Sequence, residues 1–97
     1  MIIKEVLQLL ENAEHPVARA LYKTDHSKVL VIGFKKAMVL KEHQTVTGGK
    51  LTVLTGSVTY KQEGVEQQLN QYDETDIPAH ILHSVIALED SLCLVLL

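Results

Sequence analysis

The chain has 97 residues, 46% hydrophobic and 22% charged, with one cysteine, no tryptophan and a formal net charge of −3. At this mass a fold buries about 65% of the surface its unfolded chain exposes, enough for one modest core. Aliphatic residues are too frequent for a disordered chain and a lone cysteine cannot build a disulfide framework, so residues 1–97 are expected to form a single small soluble globular domain.

The first residues read MIIKEVLQLLENAEH. At 100° per residue, Ile2, Ile3, Val6, Leu7, Leu9, Leu10 and Ala13 share an arc of roughly 160°, and Lys4, Glu5, Gln8, Glu11 and Asn12 fill the other side. The spacing predicts an amphipathic helix running to about Ala13, with Pro16 preventing its continuation, so that residues 1–15 are helix and loop. Its apolar stripe is expected to dock on the protein's own sheet in preference to a partner. Lys4, Glu5 and Glu11 deny this stretch the apolar core of a secretory signal. The longest apolar runs, Val29–Phe34 and Leu92–Leu97, fall short of the ~20 residues of a membrane-spanning helix. A cytoplasmic protein without a membrane partner is expected.

From residue 17 to residue 97 the chain reads as β structure, in runs rich in Val, Ile, Leu, Thr and Tyr: VARALYK (17–23), KVLVIGF (28–34), AMVLKEH (37–43), KLTVLTG (50–56), SVTYKQ (57–62), VEQQL (65–69), HILHSVIAL (80–88) and SLCLVLL (91–97). Turn residues separate them at Asp25-His26-Ser27, Gly48-Gly49, Gly56-Ser57, Glu63-Gly64 and Glu89-Asp90. Pro78 is read as opening a strand. Eight such strands would close a sandwich or barrel. VLVIGF and LCLVLL are apolar at successive positions, which implies strands covered on both faces by the helix, the opposite sheet or another subunit. The apolar ending Leu96-Leu97 suggests a docked last strand and a homodimer. Cys93, among aliphatics, is expected to be a buried and inert thiol.

Nine Lys and Arg against twelve Asp and Glu, with Lys35-Lys36 the one basic pair and only Tyr22, Phe34, Tyr60 and Tyr72 as aromatics, give neither a basic face nor a stacking platform, so no nucleic-acid partner is expected. Asp25-His26-Ser27 holds triad residue types, yet neighbours on one turn cannot form the relay. There is no GxSxG elbow, phosphate-binding glycine loop or CxxC. Of the five histidines, His15 and His26 lie in loops, where a solvated role is expected. His43 ends one strand and His83 lies in another, flanked by aliphatics.

The stretch LKEHQTVTGGKLTVLTGSVTY, followed by YDETDIPAHILHSVIALEDSL, resembles the cupin family of small β-barrels over residues 29–97. The family's first motif is Gly, five residues, His, one residue, His, three or four residues, Glu, six residues, Gly. It falls here on Ala37, His43, Thr45, Gly49 and Gly56. The second is Gly, five residues, Pro, one residue, Gly, two residues, His, three residues, Asn, and falls on Tyr72, Pro78, His80, His83 and Ala87. The resemblance implies a mainly β fold, a small antiparallel jelly-roll barrel with one N-terminal amphipathic α-helix.

It also implies that His43, Thr45, Gly49 and His83 line the barrel mouth, where the family holds a divalent metal with three histidines and one glutamate. Thr45 and Gly49 stand in place of one histidine and the glutamate, so a tightly bound metal is not expected, and their smaller side chains should leave a roomier, mostly apolar pocket. The primary expectation is a barrel that binds an unidentified small molecule, with His43 and His83 also able to serve acid–base chemistry. One alternative is a metal-dependent oxygenase or isomerase holding Fe, Mn, Ni or Zn on His43 and His83, with His80 or a carboxylate completing the set. Against His80 stand strand parity, which points residues 80 and 83 to opposite faces, and its place at a family turn glycine. The other alternative is a protein-interaction module that uses the helix face or an edge strand.

Overall fold

In the computed structural model, which describes residues 1–97, helix α1 spans Ile2–Leu10. It stops short of Ala13 because Leu10 is the last side chain it buries and Lys35 Nζ takes the Glu11 carbonyl at 2.6 Å. A cation there also suits the negative end of the helix dipole.

Nine strands follow: β1 Val17–Lys23, β2 Lys28–Phe34, β3 Val39–His43, β4 Gly49–Thr55, β5 Val58–Gln62, β6 Val65–Leu69, β7 Glu74–Ile77, β8 His83–Ala87 and β9 Ser91–Leu96. The ninth relative to the sequence reading is β7, whose residues ETDI bury only Ile77 and so carry no apolar alternation. Pro78 follows β7 rather than opening a strand, and residues 79–80 form a turn before β8 begins at His83.

All pairings are antiparallel, in a five-stranded sheet of order β1-β2-β9-β4-β7 and a four-stranded sheet of order β3-β8-β5-β6. The inward faces of the two sheets enclose the main core, with Phe34, Val53, Val58, Leu69 and Cys93 at its centre. Helix α1 lies on the outer face of the larger sheet, where Val6 packs with Val31 and Leu92. This double cover accounts for the runs VLVIGF and LCLVLL. Gly33 is the seat of the helix, since a Cβ there would stand 2.9 Å from Val6 Cγ1 and 3.2 Å from Leu10 Cδ2. Burial raises the Cys93 thiol pKa to about 12, which keeps it protonated.

Three of the family motif's glycine positions hold other residues here, and all three keep left-handed backbone: Ala37 at φ 73°, Tyr72 at φ 71° and His80 at φ 63°. Gly56, the retained glycine, has φ 88°. The backbone therefore follows the motif where the side chains have departed from it.

No helix is long and apolar enough to cross a membrane.

Candidate functional site

The inward faces of the two sheets leave a cavity of about 160 Å³ at one end of the core. Nine of its twelve lining residues are hydrophobic, among them Leu30, Ile32, Leu51, Ile77, Val85 and Val95. Its polar groups come from His43, Thr45, Tyr60 and His83.

His83 reaches the cavity by ordinary alternation, on the same face of β8 as Val85 and Ala87. His43 reaches it by a bulge. Leu40 pairs with Val85 and His43 with His83, so three steps along β3 match two along β8. The extra residue turns His43 to the side on which Leu40 already points and leaves Glu42 exposed.

The two imidazoles meet edge to face with ring centroids 4.2 Å apart, and the Tyr60 ring stacks on His83 at 5.7 Å. His43 Nδ1 lies 2.8 Å from the Lys41 carbonyl and His83 Nδ1 lies 3.2 Å from that of Ile81. A carbonyl only accepts, so each Nδ1 carries the proton, and in a neutral ring Nε2 keeps its lone pair. His83 is 3% exposed. Burial holds its pKa below the usual histidine value and the neighbouring His43 acts in the same direction, against the opposing effect of the Ile81 hydrogen bond. Burial also raises the Tyr60 pKa, so its hydroxyl stays protonated and donates to Gln62 Oε1 at 2.9 Å.

Gly49 does not line the cavity. It points inward in step with Leu51, but a Cβ there would run into the Leu96 carbonyl oxygen and stand 2.7 Å from Leu97 Cδ2. Leu97 is itself a lining residue, so the volume expected to open at Gly49 is filled by hydrocarbon. Thr45 lines the cavity, with its hydroxyl donated to the Thr47 carbonyl at 2.8 Å.

His80 is exposed in the turn before β8 and is not brought to the other two histidines. Its amide donates to the Thr45 carbonyl at 2.8 Å. No three His, Cys, Asp or Glu side chains converge closely enough to hold a metal ion. The donor set therefore does not make the family's four-ligand centre, nor the three-ligand set with His80. Sequence reasoning missed Tyr60 and Leu97 as cavity residues. The alternation of SVTYKQ could have supplied Tyr60, which shares a face with the buried Val58.

No protein-family model matches this sequence, and no curated protein matches it significantly. Solved structures do. A cupin superfamily protein from Desulfitobacterium hafniense is similar with a TM-score of 0.82 and 16% identity, over 88% of this chain and 78% of that one. KdgF from a Halomonas species gives 0.78 and 24%, over 88% and 79%. A Klebsiella pneumoniae protein with a double-stranded β-helix domain gives 0.80 and 19%, over 94% and 84%. At these identities the likeness concerns the fold, and with two sheets, motif-like turns and cavity agreeing, this chain has the fold of a small cupin barrel.

Proposed function

We propose that this barrel binds a small uncharged molecule, about the size of one aromatic ring, that carries a hydrogen-bond donor. The observation that carries the reading is the pair of imidazoles in an apolar cavity, each with its Nδ1–H tied to a backbone carbonyl. With that tautomer fixed, Nε2 of a neutral ring can accept from a ligand hydroxyl or N–H but cannot donate to a carboxylate. An apolar cavity of about 150 Å³ takes one benzene-sized molecule, and this one is about 160 Å³. An ion entering it would lose its hydration with no opposite charge to meet.

Titration with p-cresol and with its isostere p-xylene, followed by the NMR signals of His43, His83 and Tyr60, tests the reading. Binding of p-cresol at least about tenfold tighter than p-xylene supports it, because one well-placed hydrogen bond in a dry site is worth roughly that factor. Absence of both from the cavity overturns it.

A metal-dependent reading draws on the same tethered histidines, since metal-binding imidazoles hold their second nitrogen on a carbonyl or carboxylate in this way. Elemental analysis of protein purified without chelator distinguishes the two. About one equivalent of Fe, Mn, Ni or Zn, absent from a His43→Ala/His83→Ala variant, would replace the small-molecule reading with a metal centre.

A further inference from the structure

Four side chains in the cavity wall carry a proton that could be donated to a ligand, and each directs it elsewhere. The Nδ1–H groups of His43 and His83 go to the Lys41 and Ile81 carbonyls at 2.8 and 3.2 Å, and the Thr45 hydroxyl goes to the Thr47 carbonyl at 2.8 Å. The Tyr60 hydroxyl donates to Gln62 Oε1 at 2.9 Å, although Tyr60 lines the cavity and Gln62 does not. What the four groups still present is lone pairs, on two imidazole nitrogens and two hydroxyl oxygens. His83 Nε2 has no protein partner, yet no buried side-chain nitrogen or oxygen is left unpaired. That atom therefore keeps open surface within a residue only 3% exposed.

The wall thus holds side-chain acceptors and no side-chain donor. An acceptor on a ligand, once stripped of water there, meets only other lone pairs, and an unpaired polar group in a dry site is costly. A donor meets a partner. An aromatic amine suits this arrangement, because both its protons donate and its lone pair is delocalised into the ring. A phenol supplies one proton, and a ketone, ether or pyridine supplies none.

Three of the four protons are held by backbone carbonyls and so by the fold itself. The fourth is held by a side chain. Gln62 follows Tyr60 by two residues on the same face of β5, and its partner across the ladder is His83. A hydroxyl proton turns about its C–O bond to find an acceptor, so without the Gln62 carbonyl the Tyr60 proton is free to point into the cavity.

We propose that the cavity is an acceptor-only site for ring-sized aromatic amines and phenols, and that Gln62, a positioning residue outside it, excludes acceptor-bearing rings by holding the Tyr60 proton. The inference rests on the reading of the cavity as a ligand site and adds the polarity of the ligand and the residue that sets it.

NMR titration of the whole chain at about pH 8, where imidazole is neutral, tests it with four rings of similar size. These are p-xylene, p-cresol, p-toluidine and 4-methylpyridine, the last of which offers an acceptor only. In the parent, p-cresol and p-toluidine are expected to bind at least about tenfold tighter than 4-methylpyridine. Gln62→Leu and the nearly isosteric Gln62→Met should each tighten 4-methylpyridine at least about tenfold and leave p-xylene unchanged, and adding Tyr60→Phe should abolish that gain. The proposal is overturned if the parent binds 4-methylpyridine as well as p-cresol, if neither Gln62 variant gains, or if the gain survives Tyr60→Phe. In each of these cases p-cresol binding leaves the cavity reading intact. Failure of both p-cresol and p-xylene to enter the parent overturns both readings.

Discussion

Gly49 and Leu97 share one space: Leu97 Cδ2 stands 2.7 Å from where a Cβ at position 49 would be. The Leu96 carbonyl closes the same space from the backbone side, and backbone cannot swing away as a side chain can. The cupin motif has a glutamate at this position, and here the space beside it is filled, so a single substitution cannot place a carboxylate in the cavity.

Gly49→Glu is therefore expected to destabilise the fold by about 3 kcal/mol, the upper range for overpacking a core. Chemical denaturation reads this directly. Gly49→Glu should also gain no metal affinity over the parent in equilibrium dialysis, because the carboxylate cannot enter the cavity. A parent-like stability together with one bound equivalent would contradict the geometry.

Burial sets the sign of the pH dependence at His83. Its folded pKa lies below the unfolded value of 6.5, so below that value the unfolded chain binds the proton more readily. The contribution is fully present above about pH 6.5 and is lost as pH falls from there through the folded pKa. Unfolding free energies from pH 7.5 to pH 5 should decline for the parent and decline less steeply for His83→Gln. Equal slopes would mean that His83 titrates as it does in water.

The β3 bulge is what turns His43 inward. Deleting Glu42 restores regular pairing and leaves the imidazole two positions from Leu40, on the same inward face and still opposite His83, so the edge-to-face contact and the affinity for p-cresol should both survive the deletion. Loss of the nuclear Overhauser contact between the two rings after the deletion would show that Glu42 is not the extra residue of the bulge.

Ala37, Tyr72 and His80 each hold left-handed backbone that costs a side-chain-bearing residue roughly 1–2 kcal/mol, of which glycine gives back 0.5–1 in unfolded-chain entropy. Replacing any of them by glycine is expected to stabilise the protein by about 0.5–1 kcal/mol, a rise in Tm of roughly 2–8 °C for a chain of this size. His80→Gly should do so without changing p-cresol binding, since His80 lies outside the cavity.

The fold was legible where burial leaves a pattern. The runs at 17–23, 28–34 and 65–69 coincide with β1, β2 and β6 because turn residues bracket them. The stripe of Val6 and Leu10 marked a helix that does pack on its own sheet. β7 was invisible because an edge strand with one buried side chain has no periodicity to read. At the site, motif spacing brought His43 to His83, yet spacing counts residues and cannot register a bulge or what fills the space beside a glycine. Leu97 enters the cavity from a different strand run, and no local sequence signal connects it to Gly49.

The filled space at Gly49 also bears on what the barrel admits. With hydrocarbon where the family motif has a carboxylate, the chamber walled by Leu30, Ile32, Leu51 and Leu97 would, on the proposed reading, act toward solutes as a minute organic phase. A molecule must leave water to enter, and phenols, alcohols and amides do so far more cheaply than salts. Selection among metabolites would then begin at the partition step, before shape is read at all.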